Sequence, residues 1–575
     1  MTKQNKNKAK GITNNLTNYG DPGFAAYLRR SFARSMGYSI DSLSRPIVGI
    51  ASSPSGFNNC HRSMPDLVEA VKRGVLKRGG LPIEFPTISL GEVFLSPTSM
   101  MFRNLMSMDV EEMLKAQPMD ACVVIGGCDK TVPAQLMGAA SANIPTVQLV
   151  TGPMMAMPYQ GERLGACTDC RRFWGRYRAG EISDTAINEI EGKLATTAGS
   201  CAVMGTASTM ACITEALGMS LPGSAAIPAV HADRLRMAEA CGERAMEMAQ
   251  SQSPLPEQII TPKSIENAVR VLLAVSGSTN AVVHLAAIAG RRGINLDLDM
   301  INRLSEETPV LVNLKPTGEH YMQDLFAAGG LVTVMHELKH LLYLDCMTVT
   351  GETLGEWLSD EPEWIDREVV RPFSQPYQDK GGLIALFGSL APTGAILKRA
   401  AADPSLFEKE ARAVVFDSLE DLSSRIDDPD FDVEPEDILV LKNAGPKSAV
   451  CMPEAGYLPI PKKLATRGVK DMVRISDARM SGTAFGTVVL HVSPDAASGG
   501  NLALVQSGDR IRLSVKDKRL DILLSDADLN RRRENIQIHS APNRGYAKLY
   551  HDTVTQAPQG CDFDFLRGQT NEKPE

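Results

Sequence analysis

From residue 46 to about residue 342, short apolar runs alternate with stretches of helical periodicity, and that alternation limits how the chain can fold. Residues 47–51, 121–125 and 144–150 are apolar almost throughout. Strands of that kind are covered on both faces, which points to an α/β domain with a parallel sheet. Ser63 with Asp66 three residues on resembles a capping box, and Leu67, Val71 and Val75 then recur at helical spacing until Gly79 and Gly80 stop the run. Ser183 and Asp184 open a second helix with Ile187, Ile190 and Leu194 on one face, closing at Gly199-Ser200-Cys201.

Between residues 359 and 380 the sequence turns polar and Pro-bearing, which marks a domain boundary. Short β-rich runs follow at 383–387, 413–416, 438–441, 472–475, 487–492 and 511–515, separated by Gly and Pro turns, with a charged helix at 526–535. The expected architecture is an α/β domain over residues 1–375 and a mostly-β, barrel-like, swivelling domain over 376–575.

At 575 residues and 43% hydrophobic content the chain can bury large cores. A formal charge of −8 provides no basic field for nucleic acid. Apolar stretches stay short of a membrane span, and the Lys/Asn-rich residues 1–11 read as a frayed, soluble leader. Eleven cysteines, an odd and modest number, argue for a reducing, cytoplasmic setting rather than a disulfide scaffold. Cys122, Cys212 and Cys241 lie in apolar or helical patterns and read as buried small hydrophobes. Cys167-Thr168-Asp169-Cys170 has no partner motif and sits among arginines, so it reads as a surface loop without metal.

Cys60, Cys128 and Cys201 differ from the rest. They lie far apart in Gly/Asn/Ser-rich loops, which suggests one metal centre with an open position. In Gly126-Gly127-Cys128-Asp129-Lys130 a thiolate, a carboxylate and an amine share one strand-to-helix turn. A soft and a hard ligand side by side fit an iron–sulfur cluster beside a divalent cation.

Taken in order, Cys60, residues 126–130, Gly-Ser-Cys-x-x-Met-Gly-Thr-Ala at 199–207, Gly-Gly-Leu at 381–383, Leu-Ala-Pro-x-Gly at 390–394, Met-Pro-Glu at 452–454 and Ser-Asp-Ala-Arg-Met-Ser-Gly at 476–482 resemble the dihydroxy-acid and sugar-acid dehydratase family. The resemblance spans nearly the whole chain. It implies a hydro-lyase that removes water from a 2,3-dihydroxy acid to give a 2-keto acid, with an iron–sulfur cluster and Mg²⁺. By the same resemblance Cys60, Cys128 and Cys201 hold the cluster, and Asp129 and Glu454 bind Mg²⁺. Glu92 joins them where one branch has an aspartate. Lys130 stands where the family carries a carbamylated lysine, Ser481 is the catalytic base, and Thr483 hydrogen-bonds it. With Ser481 and the cysteines in different domains, the site is expected in the cleft between them.

Dehydration of this kind takes a weakly acidic proton beside a carboxylate and expels hydroxide, so both ends need electrostatic help. A cluster with three thiolates leaves one iron for the 3-hydroxyl, while Mg²⁺ holds the carboxylate and 2-hydroxyl. Gly91-Glu92 in place of Ser-Asp-Gly, and Phe-Asn-Asn-Cys-His at 57–61, favour the sugar-acid branch and aldonates such as arabinonate or xylonate. Likeness to that branch also favours 2Fe-2S over 4Fe-4S. The resemblance implies a homodimer or homotetramer. The alternatives are a dihydroxy-acid dehydratase of branched-chain amino acid synthesis and, in another class, an iron–sulfur electron-transfer or iron-sensing protein. Electron carriers usually complete their cluster with four protein ligands, and they have no need of acidic residues beside it.

Overall fold

The computed structural model describes residues 9–16, 19–535 and 541–568. Strands β1 (Ile47–Ser52), β2 (Leu81–Pro86), β3 (Ala121–Gly126) and β4 (Thr146–Val150) form a parallel sheet in the order β2-β1-β3-β4. Helices α1 (Met64–Lys77), α2 (Ser99–Ala116), α3 (Thr131–Ala142), α4 (Thr168–Arg178), α5 (Asp184–Leu194), α6 (Thr206–Ala216) and α7 (Ala232–Ser251) belong to the same domain. Alternate residues of one strand serve different cores. Val48 and Ile50 of β1 pack with α1 and α7, while Ile47 and Ala51 face Met106, Val110 and Leu114 of α2. Burial on both faces explains the unbroken apolar runs read from the sequence. The α1–α7 crossing is close enough to require glycine on both helices: a Cβ on Gly74 would lie 2.0 Å from the Glu239 carbonyl oxygen, and one on Gly242 2.2 Å from that of Val71.

Strand β2 has no counterpart in the sequence reading because its prolines mask it; it is an edge strand, where proline is tolerated. The capping box does not form. Ser63 is the N-cap of α1, but its side chain makes no capping hydrogen bond, and Pro65 and Asp66 in the first turn start the helix instead. At α5 the expected start holds, with the Ser183 side chain accepting from the Ala186 amide, but the helix ends at Leu194 rather than at Gly199-Ser200-Cys201. Residues 1–8 of the expected frayed leader lie outside the described residues. Lys10 and Gly11, by contrast, are tied down, their amides donating to the Asp120 carboxylate at 2.7 and 2.9 Å.

The C-terminal sheet has eight strands: β5 (Ile384–Leu386), β6 (Gly394–Leu397), β7 (Glu408–Phe416), β8 (Ile438–Leu441), β9 (Arg474–Ser476), β10 (Val488–Ser493), β11 (Arg510–Ser514) and β12 (Arg519–Ile522), ordered β12-β11-β7-β8-β9-β10-β6-β5. Its two edges meet. The Phe387 amide donates to the Lys518 carbonyl and the Leu520 amide to that of Phe387, both at 2.9 Å, so the sheet nearly closes into a barrel. Inside lie Leu386, Leu397, Ala413, Val440, Ile475, Val489, Leu513 and Leu520. Leu383, Ala385 and Ile396 face the other way and join the large core of the first domain, so apolar packing fixes the barrel against it.

Candidate active site between the sheet and the barrel

Ligand sites in parallel sheets form beyond the carboxyl ends of the strands, and three of those ends converge here. The loop after β1 carries Cys60, the segment after β2 carries Glu92, and the turn after β3 carries Cys128, Asp129 and Lys130. The loops are locked to one another. Thr151 donates to the Cys60 carbonyl at 2.9 Å, and a Cβ on Gly127 would fall 1.7 Å from the Thr151 hydroxyl, so residue 127 must be glycine. His61 Nδ1 donates to the Ser53 carbonyl at 2.8 Å, leaving Nε2 to accept from the Gly127 amide at 3.2 Å. Burial lowers the pKa of His61 to about 4 against the opposing Ser53 bond, so it is a neutral strut between the Cys60 and Cys128 loops.

The three expected cluster cysteines face a common space. The Cys60 thiol contacts that of Cys128, and Cys201, in the turn leading into α6, senses the charge of both Cys60 and Asp129. Neighbouring thiols, then burial, push Cys60 and Cys201 well above the ordinary range, so without metal they stay protonated. The surface-loop reading of Cys167 and Cys170 is corrected: Cys167 is the N-cap of α4, and its sulfur lies 3.3 Å from that of Cys201. The turn Leu164-Gly165-Ala166 folds inward because Gly165 sits against Tyr321 and Ala202, too close for any Cβ. Cys122, Cys212 and Cys241 are fully buried, as expected.

Beside the thiols stands the acidic group. Carboxylate oxygens of Glu92, Asp129 and Glu454 all lie within 4.8 Å of one another. Glu454 comes from the barrel, so the two domains build this cage together. Lys130 is completely buried, its Nζ 3.3 Å from Glu92 Oε2 and 3.9 Å from Asp129 Oδ2. Burial opposes ionisation of Glu92, but Arg479 and Lys130 outweigh it and hold the carboxyl near 2. Asp129 goes the other way: burial, with Glu92 and Glu454 adding to it against the Lys130 charge, raises it to about 7. Three carboxylates at such separations suit a small hard cation. The donor chemistry therefore fits both groups that the sequence implies, sulfur on one side and oxygen on the other.

The loop after β9 runs through Arg479, Ser481 and Thr483. Ser481 and Thr483 are hydrogen-bonded through their hydroxyls at 2.8 Å. Gly482 lies against the start of α6, where a Cβ would meet Ser278 Cβ at 2.6 Å and the Thr206 nitrogen at 2.8 Å. A Cβ on Gly205 would meet Thr483 Cγ2 at 2.8 Å and Cys201 Cβ at 3.8 Å, which places the hydroxyl pair next to the thiols. Thr168 also donates to the Thr483 carbonyl at 3.0 Å. All of the expected site residues are thus brought to one junction.

Two residues escaped the sequence reading. Arg479 lies within the Ser-Asp-Ala-Arg-Met-Ser-Gly run but was given no role there. Its guanidinium donates to Glu92 Oε1 at 2.7 Å, Glu454 Oε1 at 2.5 Å and Thr98 Oγ1 at 2.9 Å. Lys398, at the end of β6, is buried with its Nζ 3.5 Å from the Gly482 carbonyl, and burial lowers its pKa to about 7. A lysine after an apolar strand carries no sequence signal for such a place.

Comparison with known proteins identifies the family. The family model for the dihydroxy-acid/6-phosphogluconate dehydratase N-terminal region matches residues 45–357, and its C-terminal counterpart matches 368–561. The chain belongs to the dihydroxy-acid/6-phosphogluconate dehydratase family, and it is a dehydratase. It is 44% identical to the L-arabinonate dehydratase of Rhizobium leguminosarum bv. trifolii, over 96% of this chain and 95% of that one. It is 43% identical to the 6-deoxy-6-sulfo-D-gluconate dehydratase of Pseudomonas putida, over 91% of each. With the dihydroxy-acid dehydratase of Carboxydothermus hydrogenoformans it shares 38% identity, over 94% of this chain and 98% of that one.

Proposed function

We propose that this chain dehydrates an aldonate of the arabinonate or xylonate kind to the 2-keto-3-deoxy acid. The observation that carries the reading is the meeting of three thiols, a three-carboxylate cage and the Ser481–Thr483 hydroxyl pair at one domain junction. The relatives named for sugar acids are also more similar than the one named for dihydroxy acids, at 44% and 43% against 38%. When bound, a cluster on Cys60, Cys128 and Cys201, which we take as 2Fe-2S rather than 4Fe-4S, and Mg²⁺ on Glu92, Asp129, Glu454 and carbamylated Lys130 supply Lewis acidity at the two ends of the substrate.

The chain's own residues then divide the remaining work. Ser481 Oγ accepts the C2 proton, and the Thr483 hydroxyl, 2.8 Å away, stabilises the oxygen when it is deprotonated. Loss of that proton and of the 3-hydroxyl leaves an enol, which becomes the ketone. Arg479 keeps Glu92 and Glu454 aimed at one point. His61 holds the Cys60 and Cys128 loops in register. Closure between sheet and barrel keeps bulk water from the base.

The division at residues 375/376, a cytoplasmic setting and assembly as a homodimer or homotetramer belong to the same reading. Among the described residues no helix is long and apolar enough to cross a membrane. Exposed Phe24, Tyr27, Phe32 and Met36 near the N-terminus supply an apolar face for self-association. The test is a side-by-side assay of 2-keto acid formation from C5 and C6 aldonates and from branched 2,3-dihydroxy acids. A kcat/KM at least tenfold higher on an aldonate is expected. Preference for the branched acids would move the chain to the amino-acid branch.

A further inference from the structure

Dehydration makes no use of Cys167 or Cys170, yet both are built into the site. Cys167 occupies the N-cap position of α4 and Cys170 follows one turn later, where its thiol adjoins that of Cys167. On its other side Cys167 Sγ is 3.3 Å from Cys201 Sγ. The three sulfurs form a chain with Cys167 in the middle, packed against Met154, Ala202 and Tyr321. A disulfide needs about 2.05 Å between sulfurs, so Cys167 can bond either neighbour after a small side-chain movement. The first turn of α4 also borders a cavity of about 1130 Å³, lined by Cys167, Cys170, Arg171, Trp174, Tyr457 and Phe485, through which small reagents reach the thiols.

We propose that Cys167 and Cys170 are a thiol–disulfide exchange site that recovers Cys201 after oxidation. The role assigned to Cys201 rests on its reading as a cluster ligand; the chemistry of the pair rests on the sulfur geometry alone. With iron lost and hydrogen peroxide present, the Cys201 thiol is oxidised to sulfenic acid with release of one water. The Cys167 thiol attacks that sulfur, forming the Cys167–Cys201 disulfide and expelling a second water. The Cys170 thiol then attacks Cys167 Sγ, its proton passing to the departing Cys201 sulfur. The disulfide moves to Cys167–Cys170, and Cys201 leaves as a thiol, restored as a ligand for iron. Two thiols have given two electrons to one peroxide, and a cellular dithiol returns the pair to its reduced form. Without this route Cys201 proceeds to sulfinic and sulfonic acid, which thiols do not reverse.

The test uses full-length protein purified without oxygen, its iron measured, then exposed to hydrogen peroxide, alkylated and mapped by peptide mass spectrometry. Wild type should yield a Cys167–Cys170 linkage with Cys201 alkylated. Cys170→Ser should trap Cys167–Cys201. In Cys167→Ser, Cys201 should appear as sulfinate or sulfonate, and after dithiol treatment with iron and sulfide the recovered visible absorption should be several-fold below wild type. Free Cys167 in both wild type and Cys170→Ser, Cys201 linked to Cys60 or Cys128 instead, or full recovery by Cys167→Ser would each overturn the proposal. Protein isolated without iron would count against the cluster reading, whereas the linkage map would still judge the exchange site.

Discussion

Arg479 reaches from the barrel into the N-terminal domain and donates to Glu92 Oε1 at 2.7 Å. With its second bond to Glu454 it ties the acidic cage to the loop that carries Ser481. Both ion pairs are well shielded, with 2% exposure for Arg479 and 17% for Glu92. Removing one partner of a buried pair costs about 3–5 kcal/mol. Arg479→Met should therefore lower unfolding stability by roughly that much and cut turnover at least a hundredfold, while iron content stays near wild type. Denaturation curves alongside iron and Mg²⁺ analysis check it; unchanged Mg²⁺ retention would mean the cage forms without Arg479.

Gly482 offers a purely steric test. Its added Cβ in Gly482→Ala would press on Ser278 and on the backbone nitrogen of Thr206, and a helix start cannot give way as a flexible side chain does. Overpacking of this sort costs about 1–3 kcal/mol. The neighbouring Ser481 hydroxyl should be displaced, so kcat should fall by tenfold or more with iron and Mg²⁺ retained.

Lys398 gives a pH signature. Its folded pKa of about 7 lies below the ordinary lysine value of 10.5, because burial disfavours the charged form. Between those two values the unfolded chain holds more protons than the folded one, so this residue makes stability rise with pH across that window, by up to about 1.4 kcal/mol per pH unit. Replacing it in Lys398→Met should flatten the difference in stability between pH 7 and pH 9. An identical pH slope in wild type and variant would show that Lys398 is solvated and charged.

Much of the N-terminal sheet was legible because strands buried on both faces leave apolar runs, as at residues 47–51 and 121–125. Strand β2 was not, since Pro82 and Pro86 hide an edge strand, and β6 and β12 were missed as well. In the site, Cys60, Cys128, Cys201 and Ser481 stood out through their motifs. Cys167 did not: its CxxC lacks a sequence partner, and only the tertiary fold brings Cys201 beside it. Arg479 and Lys398 were hidden for a related reason. A buried cation is defined by what surrounds it, and that is set by loops far away in the chain.

Ser481 is the centre of the mechanism. Ser481→Ala should be purified without oxygen next to wild type, both loaded with iron and Mg²⁺, and assayed for 2-keto acid formation from an aldonate. At least a thousandfold loss of turnover is expected, with iron content and visible absorption unchanged. Turnover within tenfold of wild type would contradict it, because another group would then be taking the C2 proton.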